Sequence, residues 1–148
     1  MWNRFRTSLN LARELSLADW LALVESWWVL TYYHFALRWV SLKRLMQPDL
    51  KTSNISECLS SARRLHRLVG WAARLHLLSM TCLVQSLALR WMLRRRGIAS
   101  QLKIGATKIS GSFHAHAWLE MDGEKVGESE DAIGIFRVLT RGTSPPTS

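Results

Sequence analysis

The spacing of hydrophobic positions divides the chain into a helical first part and a strand-forming second part. Over residues 16–47, apolar side chains recur three and four positions apart, which predicts one long helix with a buried apolar side. Ser16 and Asp19 have the spacing of a helix-starting box, and Pro48 marks the end of the helix. The members of this tryptophan-rich pattern are Leu17, Trp20, Leu21, Val24, Trp27, Trp28, Thr31, Phe35, Leu42 and Leu45.

A second helix is predicted from Asn54, because asparagine is a favoured N-terminal cap. The pattern continues through Val69, and we expect Gly70 to close the helix, since glycine commonly ends helices. A short third segment is predicted around residues 71–78.

The last helix is expected to begin after Ser79 or Thr81, either of which can cap it. It ends in the arginines of residues 94–96, directly before Gly97. Cations near the negative C-terminus and a glycine just past it both favour a helix end here.

Beyond Ile98 the hydrophobic period becomes two, which is typical of half-buried strands. Residues 101–106 alternate in this way, and residues 113–121 and 125–128 flank Asp122-Gly123, a strong hairpin signal. The pattern therefore predicts an α+β fold in which N-terminal helices precede a small antiparallel sheet.

We expect one domain over residues 1–139. Residues 16–47 form its tryptophan-rich helical segment, and residues 54–139 carry the candidate site. The tail, residues 140–148, is rich in Ser, Thr, Pro and Gly, which predicts disorder.

Composition adds a strong positive charge to this picture. The 148 residues are 48% hydrophobic and carry a formal net charge of +9, which attracts acidic peptides, polyanions or anionic lipid surfaces. No motif that interleaves basic and aromatic residues accompanies the charge, so nucleic-acid binding is not predicted.

The uncharged stretch between Glu25 and Arg38 is well short of the roughly 18–20 residues of a spanning helix. Its wide apolar stripe predicts either a core helix or a docking surface for a partner protein or a membrane interface.

Two cysteines, Cys58 and Cys82, have neither a CxxC spacing nor the density of a disulfide framework. Since no apolar signal segment with a cleavage site follows the basic N-terminus, we expect a reducing, cytoplasmic setting. Cys82 falls in the first turn of the last helix, where free backbone N–H groups and the helix dipole stabilise a thiolate. This makes Cys82 a candidate nucleophile, although cysteine among leucines is also a common core residue. Cys58 lacks such an environment and is interpreted as structural.

Two histidines share one face of the strand at residues 113–121. Alternation puts His114 and His116 on that face and small alanines on the other, where a helix can approach closely. A catalytic histidine needs an acceptor to orient its ring. A three-residue hairpin loop would place His116 directly opposite Glu128, whereas a two-residue loop would leave Glu128 on the wrong face. We therefore predict Cys82, His116 and Glu128 as nucleophile, base and acid, with Asp131 a poorer choice of acid.

Four short sequences in this order resemble one known family. They are TCLVQSLAL at 81–89, LRRRGI at 93–98, IG at 104–105, and HAHAWLE at 114–120 followed by DG at 122–123. The combination is similar to the protease component of lasso-peptide biosynthesis, a transglutaminase-like family. The resemblance covers about residues 58–136, and it implies a papain/transglutaminase-like fold.

The resemblance implies a cysteine protease that removes the leader from a ribosomally made precursor, whose core is then closed into a macrolactam by a partner cyclase. Cys82 and His116 match the family's nucleophile and base, and Glu128 stands where aspartate is more usual. Because no segment of about 80 residues precedes Ser16, we expect a separate leader-recognition protein as a further partner. The resemblance implies no cofactor and no metal.

Two other interpretations stay open. His114 and His116 could be two zinc ligands of an enzyme, with Glu128 or Cys82 as a third. Alternatively, the chain could be a non-enzymatic basic adaptor that docks on a membrane or a partner through its tryptophan-rich segment, with Cys82 simply buried.

Overall fold

A computed structural model describes residues 16–40, 55–109, 112–127 and 136–138. In these residues, helices precede an antiparallel sheet, so the predicted α+β fold is confirmed. The predicted disordered tail, Glu128 and Asp131 lie outside the described residues. The elements are α1 Leu17–Ala36, α2 Ile55–Leu75, α3 Cys82–Arg95, β1 Gln101–Ile109, β2 Ser112–Met121, β3 Glu124–Lys125 and β4 Arg137–Val138.

Helix α1 begins as predicted but ends early. The Ser16 hydroxyl accepts from the Asp19 N–H at 3.3 Å, and the Asp19 carboxylate accepts from the Ser16 N–H at 3.0 Å. The prediction that the helix continues to about residue 47 is wrong, because it ends at Ala36. At Arg38 and Trp39 the backbone N–H groups donate three residues back, to the carbonyls of Phe35 and Ala36, so the helix gives way to turns, and Trp39 is 89% exposed.

The buried face of α1 is not the predicted one. The face against the other helices is small or polar in the first half of α1 and becomes apolar in the second half, and most large apolar residues of the pattern point to solvent. The physical reason is close packing: Ser26 is fully buried, and its hydroxyl lies 3.3 Å from the Met92 sulfur of α3. The buried residues are Asp19, Ala22, Ser26, Val29, Leu30 and Tyr33. The exposed apolar stripe of α1, which continues into the turn after the helix, is Leu17, Leu21, Val24, Trp28, Tyr32, Phe35 and, past the helix end, Trp39.

Helix α2 continues through Gly70, so the predicted stop at this residue is wrong. Leu68, Val69 and Ala72 are buried on either side of the glycine. Their burial outweighs the cost of about 1 kcal/mol for glycine inside a helix. The segment predicted to be separate at residues 71–78 is therefore the last part of α2, up to Leu75.

Helix α3 has the predicted boundaries at both ends. Of the two candidate caps, Thr81 is the one used: its hydroxyl accepts from the Val84 N–H at 3.4 Å. At the other end, Gly97 has a φ of +72°, and the Ile98 N–H donates to the Leu93 carbonyl at 3.0 Å. This is the hydrogen-bond pattern of a Schellman motif, which explains why the helix ends there.

The sheet has the strand order β3-β2-β1-β4. β1 and β2 pair antiparallel along their whole length, from Gln101 opposite Glu120 to Ile109 opposite Ser112. The hairpin predicted at Asp122-Gly123 is confirmed, but its loop has two residues, since Met121 pairs with Glu124. Both loop residues have positive φ, 47° and 89°, as a type I′ turn requires. The three-residue loop predicted from the sequence is wrong.

Helix α3 packs on one face of the sheet, and α1 and α2 pack against α3 and against each other. Ala117, Leu119 and Met121 of β2 join the core with residues such as Leu30 of α1 and Met92 of α3. The alanine side of β2 is thus the helix-facing side, as the small side chains predict. No helix in the described ranges is long and apolar enough to cross a membrane.

Candidate active site

Cys82 is the first residue of α3 and is half-buried at the edge of the core. The preceding residue holds the start of the helix through two bonds: the Thr81 hydroxyl accepts from Val84, and the Thr81 carbonyl accepts from the Gln85 N–H at 3.1 Å. The backbone N–H groups of the first turn precede the first intrahelical bonds and point out of the helix end. Cys82 therefore lies where these N–H groups can stabilise a negative charge on sulfur or on a bound oxygen.

His116 lies on β2, opposite Gly105 of β1. Its ring is stacked on Trp118, with centroids 6.2 Å apart, and Phe136 lies against it at 5.6 Å. Gly105 permits this arrangement, because a Cβ there would lie 2.9 Å from both the Trp118 ring and Phe136 Cβ. Two aromatic side chains, Trp118 and Phe136, thus pack against His116 on its face of the sheet.

A cavity of about 190 Å³ opens at the edge of β2 and brings Cys82 and His116 together. In the described residues, β3 pairs with β2 only at Glu120 and Met121. The remaining residues of this edge of β2, towards Ser112, have no paired strand in that part of the chain. Cys82 approaches this edge from the helical side, whereas alternation puts His116 on the opposite face. The cavity is lined by His66, Cys82, Gln85, Ser86, Leu89, His116, Ala117, Trp118, Leu119 and Val126.

Ser86 is a buried polar residue of this site that the sequence analysis did not assign. Its hydroxyl donates to the Ala117 carbonyl at 2.9 Å. The next carbonyl on the same edge, that of Leu119, accepts from the Val126 N–H at 3.0 Å. The Ser86 hydroxyl therefore supplies the hydrogen bond that a neighbouring strand would otherwise donate to this carbonyl. Ser86 lies one helical turn after Cys82, on the same side of α3. The bond ties the helix that carries the thiol to the residue after His116.

His66 of α2 is a second residue that the sequence analysis missed. It is half-buried and lines the same cavity as Cys82 and His116. A Cβ on Gly127 would clash with the His66 ring at Nδ1, Cγ and Cε1, so the ring lies directly on this glycine. The only sequence signal was a histidine on the buried side of an amphipathic helix, beside Leu65 and Val69, and such histidines are common in ordinary cores.

The remaining predicted site residues fall elsewhere. Cys58 packs half-buried against the core from α2 and does not line the cavity. His114 is exposed, opposite Thr107, and is likewise outside the cavity wall. Among the residues that the structure describes, no group of three or more His, Cys, Asp or Glu side chains could hold a metal ion, so Cys82 does not complete a zinc site with the two histidines there.

The hairpin register that favours Glu128 from the sequence differs from the register in the structure. With Met121 opposite Glu124, extrapolation of the ladder would set Ala117, not His116, opposite Glu128. The extrapolation itself also fails, because Gly127 has a φ of +79° and leaves the strand conformation. The observed register therefore gives no support to Glu128 as the acid, which depends on the resemblance alone.

Comparison with known proteins supplies one family. Residues 29–141, well over half of the chain, match the sequence profile described as the transglutaminase-like superfamily. The matched region includes α2, α3 and the sheet, and hence every residue that lines the cavity. No curated protein and no solved structure matches the chain significantly.

Proposed function

Because this chain belongs to the transglutaminase-like superfamily, which has a cysteine-protease type of fold, we propose that it is a cysteine peptidase that removes the leader from a lasso-peptide precursor. One observation carries most of the support: Cys82 at the start of α3 and His116 on β2 line the same cavity. A thiol at a helix start beside a histidine on a strand is a known way to form a nucleophile and base pair. The precursor as substrate follows from the resemblance of residues 81–123 to the lasso-peptide proteases.

In the proposed reaction, His116 takes the thiol proton and the Cys82 thiolate attacks the carbonyl carbon at the C-terminal end of the leader. The S–C bond forms, and the carbonyl electron pair moves to oxygen, where the N–H of Cys82 donates to it. Collapse breaks the C–N bond, and His116 gives its proton to the departing core amine. Water then attacks the thioester, which releases the leader acid and restores the thiol.

The acid that orients His116 is proposed to be Glu128, on the resemblance alone. A glutamate can perform the role of the more usual aspartate, because either carboxylate can accept from the imidazole N–H and stabilise the imidazolium. Asp131 is the alternative, and both lie outside the described residues.

The exposed apolar stripe of α1 supports a partner surface in this proposal. Trp28 and Tyr32 are each 65% exposed, and a contiguous stripe of this kind on a small domain is typical of an association surface. We propose that a separate leader-recognition protein binds there and delivers the precursor, and that a macrolactam-forming cyclase uses the freed core. The tryptophan and tyrosine side chains are residue types that commonly supply binding energy at protein interfaces.

The test is cleavage of a precursor peptide by the purified chain, with the leader-recognition protein present, followed by mass spectrometry of the products. Cys82→Ala is expected to abolish cleavage, because it removes the nucleophile. Cys58→Ala is the matched control: this cysteine is also half-buried against the core, but it is outside the cavity, so cleavage is retained. Cleavage at the parent rate by folded Cys82→Ala protein would refute the mechanism.

A further inference from the structure

Three arginines form a line along the exposed side of α2. Arg63, Arg67 and Arg74 are all exposed, and they lie four and then seven positions apart. At about 100° of rotation per residue, these spacings put the three within about 40° of one another around the helix axis. At about 1.5 Å per residue, the line extends over about 16 Å. We refer to these three residues as the arginine stripe of α2.

The arginine stripe has no acidic partner in the described parts of the chain. Arg64, on a neighbouring side of the same helix, pairs with Asp19 of α1. The carboxylate of Glu25, also on α1, pairs with Arg95 and Arg96. By contrast, no side-chain hydrogen bond, ion pair or ring contact with described residues involves a member of the stripe. Its three positive charges can therefore bind an anionic group from outside.

Gly70 lies within the stripe, between Arg67 and Arg74, and it is half-buried. Its φ is not positive, and a Cβ built there would meet no atom of the described residues within 4 Å. Neither the backbone nor the packing in that part of the chain therefore requires a glycine, although glycine is unfavourable inside a helix. The missing side chain leaves an opening in the stripe where the main chain of a ligand can approach α2 closely.

The stripe adjoins the cavity that contains Cys82. His66 of α2 lines this cavity. Arg63 lies three positions before His66 and Gly70 four positions after it, and residues at these spacings are neighbours on the surface of a helix. A chain that binds along the stripe consequently lies next to the wall of the cavity.

Charge and spacing favour an extended acidic peptide as the occupant of the stripe. Guanidinium groups pair well with carboxylates, often through two parallel hydrogen bonds. The intervals along the stripe, about 6 Å and about 10 Å, correspond to about two and three residues of an extended chain. A membrane surface favours apolar side chains beside the cations, and single-stranded nucleic acid favours exposed aromatic ones. Here a glycine occupies the gap between the arginines instead.

We propose that the arginine stripe of α2 binds an acidic segment of the substrate polypeptide, in extended form, beside the cavity. The stripe selects a segment whose carboxylates lie two and five residues from the first one, and Gly70 lets its main chain lie against the helix. That the bound chain is a substrate rests on the proposed peptidase function, whereas the binding of an acidic peptide does not.

The experiment measures binding of a fluorescein-labelled synthetic hexapeptide to the full chain by fluorescence anisotropy. The peptide carries aspartate at its first, third and sixth positions, and a matched peptide carries asparagine there. The parent is expected to bind the aspartate peptide more tightly. Each exposed ion pair contributes only about twofold to threefold, so Arg63→Gln, Arg67→Gln and Arg74→Gln together are expected to weaken this binding roughly tenfold.

A second triple variant is the matched control for charge. Arg38→Gln, Arg95→Gln and Lys108→Gln together remove the same charge from exposed positions outside α2. At an ionic strength of about 0.15 M, distant charges are largely screened, so this variant is expected to bind the aspartate peptide within about twofold of the parent.

Gly70→Gln tests the opening separately from the charge. Glutamine favours the helix more than glycine does, so the melting temperature is expected not to fall. Its side chain covers the opening, so binding of the aspartate peptide is expected to weaken. Parental affinity in this variant would overturn the role of Gly70 in the proposal.

The other outcomes each decide the proposal. Equal losses in the two triple variants would overturn it, because net charge alone would then explain the binding. Parental affinity in the stripe variant would overturn it too. So would binding of phosphatidylserine vesicles or a single-stranded oligonucleotide through the three arginines, if the aspartate peptide does not bind.

Failure of the proposed function gives a different result. If the aspartate peptide binds through the stripe but the chain cleaves no precursor, the binding site stands and the peptidase function falls. If the stripe variant cleaves a precursor with the parental KM, the function stands and the proposal for the stripe falls.

Discussion

The cavity at the edge of β2 and the apolar stripe of α1 depart from the usual division of polar and apolar residues in opposite ways. At the cavity, Ser86 is buried but bonded, and Cys82 and His116 are half-buried beside it. Along α1, Trp28 and other large apolar side chains lie in solvent. Buried polar groups and exposed apolar stripes are the informative exceptions in a globular domain. The first is suited to chemistry and the second to association.

The two regions also differ in what fixes them. A hydrogen bond from Ser86 to the Ala117 carbonyl joins α3 to β2 at the cavity. Behind the stripe, α1 is fixed to the end of α2 by His76, whose ring stacks on Trp27 at 4.7 Å and lies 2.9 Å from the Thr31 hydroxyl. Substitutions in each region should therefore change different measurements.

The largest effect in this comparison is expected for Ser86→Ala. It leaves the Ala117 carbonyl without its donor, which costs about 1–3 kcal/mol. Because the bond fixes α3 against β2, misplacement of Cys82 relative to His116 should lower turnover by up to about 10²-fold. Turnover of p-nitrophenyl acetate and thermal unfolding measure the two effects.

Ser26→Ala is the matched control. Ser26 is also a buried helical serine, but its hydroxyl donates to the Ala22 carbonyl of its own helix at 2.6 Å, far from β2 in the chain. Its loss should leave turnover unchanged. If the two serine variants lower turnover equally, the Ser86 bond has no special role in placing the thiol.

Replacing Trp28 should separate association from stability. Trp28 is 65% exposed, so Trp28→Ala is expected to weaken binding of the leader-recognition protein by about tenfold or more, with little change in melting temperature. The neighbouring Trp27 is half-buried on His76, so Trp27→Ala should lower the melting temperature. Calorimetry of both variants checks this. A lowered melting temperature for Trp28→Ala with unchanged affinity would show that the stripe contributes to packing and is not a binding surface.

The smallest effect concerns pH. Burial, and then the nearby His34, lower the pKa of His76 below its ordinary value of 6.5. The Leu78 N–H donates to His76 Nδ1 at 3.2 Å, a bond that requires this nitrogen to be unprotonated. As the pH falls below 6.5, His76 takes up a proton in the unfolded chain before it does so in the folded protein. The free energy of unfolding present above pH 6.5 therefore decreases progressively until the pH has fallen through the pKa of His76 in the folded protein.

The measurement is the melting temperature at a series of pH values from neutral to acidic, for the parent chain and His76→Gln. We expect the parent to lose more stability on acidification than the variant. Asp19 does not interfere with this measurement, because the hydrogen bond from Arg64 lowers the pKa of the Asp19 carboxyl below 3.8. Protonation of Asp19 therefore changes the stability only at more acidic pH. If the melting temperatures of the two proteins decrease in parallel as the pH falls, the pKa of His76 does not differ between the folded and unfolded states.

Much of the fold could be predicted because it depends on local features. The capping box at Ser16, the cap at Thr81, the glycine that ends α3 and the Asp122-Gly123 hairpin each involve residues within a few positions of one another. The change of period at Ile98 similarly predicted the α+β fold. Cys82 and His116 could be selected because a helix start and a strand face follow from the same local patterns.

Other features were decided only by tertiary contacts. Periodicity shows that α1 has two unlike faces, but the close approach of Met92 to Ser26 is a tertiary contact that puts the face with Ala22 and Ser26 in the core and leaves Trp28 exposed. Likewise, nothing near Gly70 in sequence indicates that packing carries α2 past it. Asp122-Gly123 suits a two-residue loop as well as a three-residue loop. The loop length, and with it the residue opposite His116, could therefore not be predicted from the turn residues.

The sequence by itself determined the order and type of the elements, their caps, and which residues could act as nucleophile and base. Only the tertiary structure decided that Ser86 holds the edge of β2 and that His66 joins the cavity from α2. The physical reason is range: a cap or a turn is stabilised by bonds within about four residues, whereas the partners of Ser86 and His66 lie 31 and about 60 positions away. Such pairs are set by how the helices pack on the sheet, which no local pattern encodes.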